Sequence, residues 1–146
     1  MLNEKMDAPL TTWYCDFCGQ PVIKENGYVI WNSDEAKLYY DFKIIHHEIC
    51  DNKSLPNSQP LSFFLGNDGL LNLLGFFSCG SLENDSNIIK NMHEYIDFIC
   101  RVQVPYYEQA RRYFKTEIGQ TVLRNGMLTE AELKNIIVCN LDLKGN

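Results

Sequence analysis

The sequence predicts an α+β fold, with an N-terminal zinc-bound β-hairpin of zinc-ribbon or treble-clef type and a C-terminal bundle of three to four helices. Two close pairs of metal-ligand residues stand in the segments 15–19 (CDFCG) and 46–50 (HHEIC). A strand–turn–strand pattern fills the gap between them, and helical patterns occupy the rest of the chain. This order, strands first and helices later, is typical of α+β proteins. A length of 146 residues is enough for one compact domain with its own core.

The N-terminal third is expected to be a flexible terminus followed by a metal-binding hairpin. Residues 1–12 are mostly polar or small, as frayed termini often are. The hairpin unit is assigned to 13–55, and Gly19 supplies the backbone freedom that its first turn needs. Within the unit, 28–31 (YVIW) and the Tyr-, Phe- and Ile-rich stretch 37–45 read as paired strands. This hairpin brings both ligand pairs to the same end of the sheet.

A helical part, residues 60–146, is expected to pack on the hairpin after a polar linker. The linker is assigned to 51–60, which ends with a proline and contains another. The first helix is predicted over 68–77, with Asp68 as its N-cap. The residues predicted to share its buried face are Leu70, Leu71, Leu74 and Phe77.

Two more helices are predicted in the middle of this part. A long amphipathic helix opens at Ser86 or Asn87 and carries apolar residues at three- to four-residue spacing as far as Val102. The next helix is predicted over 106–118, and Gly119 is predicted to terminate it.

The last helix has the clearest start signal in the chain. Thr129 and Glu132 have the spacing of a capping box, in which each side chain satisfies a backbone N–H of the other residue. Leu128 and Leu133 fit the two positions of a hydrophobic staple. The helix is predicted to end near Cys139.

The two ligand pairs predict one structural zinc site, since zinc takes four nitrogen or sulfur ligands in a tetrahedron. His47 is preferred as the nitrogen ligand because its spacing to Cys50 mirrors that of the first pair, and His46 is the alternative. Four protein ligands favour a structural metal over a catalytic one. Two other interpretations remain open: buried apolar cysteines without a metal, or a redox C-x-x-C. The predicted ligands are Cys15, Cys18, His47 and Cys50, with His46 in place of His47 as the alternative.

Charge limits the partners that the chain is expected to bind. The net charge of −6 and a pI near 5.0 make a surface that repels a phosphate backbone. A basic and aromatic patch in 101–115 is the one candidate for nucleic-acid binding, through Arg111, Arg112 and Lys115. The alternative is an ordinary amphipathic helix with solvated arginines. We therefore expect another protein as the partner.

No targeting or membrane segment is recognisable in the sequence. The start has no apolar h-region, and the longest apolar stretch is too short to span a bilayer. A cytoplasmic location is therefore expected, where the six cysteines would stay reduced. Cys79, Cys100 and Cys139 stand in apolar surroundings and are interpreted as core residues.

The segment 13–50 resembles a group of uncharacterised bacterial and phage proteins. The likeness rests on the knuckle at 15–19, the aromatic strand at 28–31 and the His-His…Cys element at 46–50. It covers roughly a third of the chain and extends loosely to 64–70 (FLGNDGL). It implies a bound metal and no particular activity.

A partial resemblance to HNH endonucleases and treble-clef proteins implies a different function. In that family a histidine pair ends a strand and is followed by an Asn-Leu-x-x-Leu-Cys-x-x-Cys-His element. Here His46 and His47 end a strand, and 72–80 (NLLGFFSCG) follows. A second cysteine beside Cys79 and a histidine after it are missing, and a hydrolytic metal would need an open coordination position.

These observations favour a zinc-stabilised protein-interaction or regulatory module of bacterial or phage type, without catalysis. An HNH-like metal-dependent nuclease is the first alternative, and a nucleic-acid-binding regulator is the second. The sequence indicates no oligomeric state.

Overall fold

The structure, a computed structural model, describes residues 6, 8–50, 56–76, 88–124 and 128–144. It confirms the α+β fold class, with two small antiparallel sheets and five α-helices among these residues. Their bounds are β1 Trp13–Tyr14, β2 Pro21–Val22, β3 Gly27–Ser33, β4 Tyr39–His46, β5 Asn57–Pro60, α1 Gly66–Gly75, α2 Met92–Gln103, α3 Tyr107–Arg111, α4 Glu117–Arg124 and α5 Glu130–Lys144, with a 3-10 turn at Leu61–Phe64 before α1.

The larger sheet has the strand order β4-β3-β5, so β3 is central. The predicted hairpin of β3 and β4 is confirmed, and it is antiparallel with a register running from Gly27↔His46 to Ser33↔Tyr39. The linker predicted over 51–60 is wrong in its second half, because Asn57–Pro60 pairs with the other edge of β3. Polar residues can form such a strand since the pairing uses backbone groups.

Aromatic side chains fill the core between this sheet and the first helices. Phe42 stacks on Phe98 with ring centroids 5.0 Å apart, and Phe64 meets the edge of the same Phe98 at 5.2 Å. Trp31 stacks on Phe42 at 5.6 Å. A second, smaller cluster joins α3 to α5 through Ala110, Leu133, Ile136 and Ile137.

Helix α1 turns a different face to the core than the sequence predicted. Leu71 and Leu74 are 66 % and 47 % exposed, whereas Gly69 and Leu73 are buried. The helix packs so closely on the preceding turn that a Cβ at Gly69 would overlap the backbone of Phe64. This contact sets the rotation of the helix, and the N-cap is Leu65 instead of Asp68.

Helix α2 starts later than predicted, because Asn91 caps it by accepting the backbone N–H of Glu94 at 3.2 Å. Ile88 and Ile89, expected in the helix, lie before it, and Ile89 forms a parallel bridge to Tyr39 of β4. The predicted start of this helix at 86–87 lies outside the described residues.

The single helix predicted over 106–118 is two helices, α3 and α4. A turn separates them, and the hydroxyl of Thr116 accepts the backbone N–H of Gly119 at 3.2 Å in the first turn of α4. Gly119 does not terminate a helix. It is buried inside α4 where a Cβ would overlap the backbone of Tyr113 and Phe114.

The capping box of α5 is confirmed in both directions. Thr129 Oγ1 accepts the backbone N–H of Glu132, and Glu132 Oε2 accepts the backbone N–H of Thr129, each at 3.2 Å. Leu133 belongs to the smaller core cluster and Leu128 packs against that cluster, a placement consistent with the predicted staple. The helix continues past Cys139 to Lys144. Within the described ranges, no helix has the length and apolar character needed to cross a membrane.

The N-terminal residues are only partly described. Residues 1–5 and 7 of the predicted flexible terminus lie outside the residues that the structure describes. Met6 packs against the smaller core cluster, and Thr11 Oγ1 donates to the carbonyl of Ala8 at 2.6 Å.

Candidate metal centre

The first half of the centre is a tight turn between β1 and β2. Cys15 and Gly19 close it with a 2.9 Å backbone hydrogen bond, and the N–H of Cys15 donates to Gln20 O at 3.0 Å. Gly19 has φ +76°, a left-handed conformation that glycine adopts without steric cost. The turn leaves Cys15 buried and Cys18 exposed.

The second half is the end of β4 and the turn that follows. The backbone N–H of Cys50 donates to the carbonyl of His46 at 3.2 Å, which closes one turn of chain. Glu48 within it has φ +67°. The closure brings the Cys50 thiol to 3.6 Å from Nδ1 of His46.

Four side chains converge at this point: Cys15, Cys18, His46 and Cys50. Their ligand atoms all lie within 4.8 Å of one another, so the group could hold a metal ion. Nδ1 of His46 is 3.4 Å from Sγ of Cys18. Nε2 of His46 lies 2.8 Å from the carbonyl oxygen of Pro21, to which it can donate only as N–H. That contact fixes the tautomer and leaves the Nδ1 lone pair directed at the thiols.

The structure places His47, the preferred nitrogen ligand, outside the cluster. That side chain is exposed, and its ring stacks on Tyr28 with centroids 4.3 Å apart and 22° between the planes. Successive residues of a strand point to opposite faces, so His46 and His47 diverge at the end of β4. The alternative, His46, is the histidine that joins the three cysteines.

The three thiols influence one another strongly. Burial acts to raise the pKa of Cys15, but hydrogen bonds from the backbone N–H groups of Cys18 and Phe17 outweigh it and lower the pKa to about 6. Burial and the neighbouring Cys15 and Cys18 raise the pKa of Cys50 to about 11. Three thiolates this close would repel one another, and a cation held among them would offset that repulsion.

The cysteines interpreted as core residues are separate from this group. Cys100 and Cys139 are half-buried, and Cys139 lies 3.5 Å from Oδ1 of Asn135, one helical turn away. Cys79 lies outside the described residues. Burial raises the pKa of Cys100, which keeps this thiol protonated.

The basic patch predicted over 101–115 is largely occupied by contacts within the chain. Arg111 forms a bidentate pair with Asp97, its Nε donating to Oδ1 at 3.1 Å and its Nη2 to Oδ2 at 2.9 Å. The guanidinium of Arg112 lies 4.1 Å from the ring centre of Tyr14. Lys115 is exposed.

Comparisons with protein-family models, with curated proteins and with solved structures give no match.

Proposed function

We propose that Cys15, Cys18, His46 and Cys50 bind a structural zinc ion, and that the protein is a zinc-stabilised interaction or regulatory module. The observation that carries the proposal is the convergence of four ligand atoms within 4.8 Å. Zinc–ligand bonds of about 2.0–2.3 Å in a tetrahedron place neighbouring ligand atoms roughly 3.3–3.8 Å apart. The separations from His46 Nδ1 to the Cys18 and Cys50 sulfurs, 3.4 and 3.6 Å, fall in this range.

The donor set favours zinc over other divalent ions. Three thiolates and one imidazole are soft to intermediate ligands, whereas calcium and magnesium prefer oxygen. All four tetrahedral positions would be filled by protein atoms, which is the arrangement of structural zinc sites and leaves no position for a reacting water. The ion would hold together a pair of two-residue strands, β1 and β2, that is too small to be stable alone.

Metal analysis of the purified chain tests this proposal. We expect one zinc per chain, and a cobalt-substituted form with the intense visible absorption of a tetrahedral thiolate site. Added imidazole or cyanide should leave that spectrum unchanged, because the site has no open position. A chain that contains no zinc and keeps its full stability in the presence of a chelator would contradict the proposal, and a spectrum that shifts on adding imidazole or cyanide would contradict a structural role.

An interaction role is supported by apolar side chains around the centre. Ile49 lies in the ligand turn after β4 and is 88 % exposed, and Phe17 lies between the knuckle cysteines and is 43 % exposed. Exposed large apolar groups on rigid turns are common in protein–protein contacts. The metal would fix both turns, which reduces the entropy lost when a partner binds them.

A photo-crosslinking residue at position 49 tests the interaction role in the native host. We expect one discrete protein adduct from this position and none from Val138, which is 43 % exposed on α5 and serves as the control. Equal, diffuse labelling from both positions would contradict a specific contact surface at the metal centre.

The alternatives receive no such support from the described residues. In the nuclease-like interpretation a histidine at the end of β4 would serve the reaction, but His46 belongs to the cluster and His47 stacks on Tyr28. For nucleic-acid binding, Arg111 is paired with Asp97 and would have to leave that carboxylate.

A further inference from the structure

A buried arginine joins the candidate metal centre to the helical half. Arg101, in α2, is only 2 % exposed. Its guanidinium donates to the carboxylate of Asp16 at 2.8 Å, to both oxygens of Glu108 at 2.7 and 2.8 Å, and to the carbonyl of Tyr14 at 3.2 Å. Asp16 belongs to the knuckle turn, Tyr14 to β1 and Glu108 to α3. One side chain of α2 therefore contacts the metal-binding turn, β1 and α3.

Asp16 also connects the two halves of the metal centre. It follows Cys15 directly in the knuckle, and its Oδ2 accepts the backbone N–H of Ile44 at 2.8 Å. The N–H of Asp16 donates back to the carbonyl of Ile44, also at 2.8 Å. Ile44 precedes His46 by two residues on β4. The position of Asp16 thus determines how the knuckle sits against the strand that supplies the histidine.

Charge explains why this arrangement needs Arg101. Three thiolates and a zinc ion carry a net charge of −1, and the Asp16 carboxylate adds another negative charge beside them. The Asp16 side chain is 21 % exposed, so water screens its negative charge only in part. Arg101 supplies the opposite charge, and Glu108 holds the guanidinium in a bidentate geometry.

We propose that Arg101 is a positioning residue for the metal centre, and that through Asp16 it couples metal binding to the docking of α2 and α3 on the knuckle. The inference rests on the proposed function, since it needs a metal in the Cys3His cluster. Coupling between two equilibria is reciprocal: the docked helices strengthen metal binding by the same factor by which the metal strengthens docking. Removal of the metal would accordingly loosen the contact between the knuckle and the helices.

Zinc affinity measured on the full chain tests the coupling. Zinc alone is titrated against a chromophoric chelator for the wild type, for Asp16→Asn and for Arg101→Lys. We expect both variants to bind zinc roughly 10–100-fold more weakly, the usual effect of removing a group that supports metal ligands. The double variant should be no weaker than the worse single variant, because both changes break one contact.

Asp97→Asn is the matched control. Asp97 of α2 pairs with Arg111 of α3, so this variant breaks an ion pair between the same two helices without touching the knuckle. Its zinc affinity should equal that of the wild type. Wild-type affinity in both Asp16→Asn and Arg101→Lys would overturn the coupling, as would an equal loss in Asp97→Asn. A wild-type chain that binds no zinc would instead refute the proposed function itself.

A second measurement does not depend on the variants folding. The indole N–H of Trp13 donates to the carbonyl of Arg101 at 2.8 Å, so its NMR signal reports docking. Metal removal from the wild type should accelerate hydrogen exchange of this indole. Trp31 lies in the aromatic core and is the internal reference. A Trp13 signal unchanged by metal removal, with the Trp31 signal also unchanged, would overturn the inference.

Discussion

The indole Nε1 of Trp13 donates a 2.8 Å hydrogen bond to the backbone carbonyl of Arg101. In an α-helix that carbonyl would accept the N–H of residue 105, but residue 105 is a proline and has none. The side chain of a distant residue therefore supplies the donor missing near the end of α2. This bond is fully buried and joins β1 to the helical half.

Trp13→Phe should destabilise the protein more than Trp31→Phe. Both indoles are buried, at 0 % and 5 % exposure, but Nε1 of Trp31 has no hydrogen-bond partner among the residues that the structure describes. Trp13→Phe leaves the Arg101 carbonyl unsatisfied, which costs about 1–3 kcal/mol, whereas Trp31→Phe removes a donor that was already unpaired. Urea unfolding of both variants measures the difference. Equal losses in the two variants would contradict this view of the Trp13 bond.

His46→Ala should abolish tight zinc binding, whereas His47→Ala should leave it intact. His46 contributes Nδ1 to the cluster, whereas the ring of His47 stacks on Tyr28 and is not one of the four cluster ligands. Because loss of a mere supporting group costs roughly 10–100-fold in affinity, loss of a ligand should cost at least that much. Competition with a chromophoric chelator measures both variants. If His47→Ala is the weaker binder, the assignment of the histidine is wrong.

Chelation of the metal should lower the stability of the wild type but not that of Cys50→Ser. A ligand present at about 1,000 times its dissociation constant stabilises the folded state by about 4 kcal/mol. Cys50→Ser has lost one thiolate and should already show the lower stability without a chelator. Thermal unfolding of the wild type and of Cys50→Ser, each with and without EDTA, measures these differences in melting temperature.

Cys139→Ser is the control for this comparison, because Cys139 lies on α5 and outside the cluster. It should respond to EDTA as strongly as the wild type does. If EDTA leaves the melting temperature of the wild type unchanged, the stability of the fold does not depend on a metal.

Asp97→Asn should reduce the loss of stability in acid. Burial acts to raise the pKa of Asp97, but hydrogen bonds from Arg111 and Tyr107 outweigh it and hold the pKa below its usual value. The carboxyl of Asp97 therefore binds a proton more readily in the unfolded chain than in the folded one. The ion pair of Asp97 with Arg111 stabilises the fold above about pH 4, and this stabilisation is lost as the pH falls through the folded pKa. Unfolding midpoints from pH 7 down to pH 3 measure the difference, and parallel curves for the variant and the wild type would contradict it.

Local patterns in the sequence predicted much of the fold and most of the candidate centre. The knuckle cysteines, the hairpin and the capping box at Thr129 and Glu132 each depend on residues close in the chain, so spacing alone identifies them. The choice between His46 and His47 was harder. It depends on where β4 ends and on the backbone bond from Cys50 to His46, neither of which residue spacing reveals.

Long-range contacts were beyond the reach of sequence patterns. Arg101 was assigned to a basic surface patch, yet it is buried because Asp16, 85 residues away, and Glu108 neutralise it. The face of α1 was predicted from the positions of its leucines, but the close contact of Gly69 with Phe64 determines the rotation of the helix. Strand β5 escaped prediction because a polar edge strand has no apolar alternation.

The chain order of the cluster has a consequence for biosynthesis. All four cluster residues precede the first helix, α1, in the sequence. A ribosome adding about 5–20 residues per second therefore releases the whole knuckle and hairpin seconds before α2 and α3. The nascent chain can take up its ion at that stage, and the later helices then meet a preassembled platform.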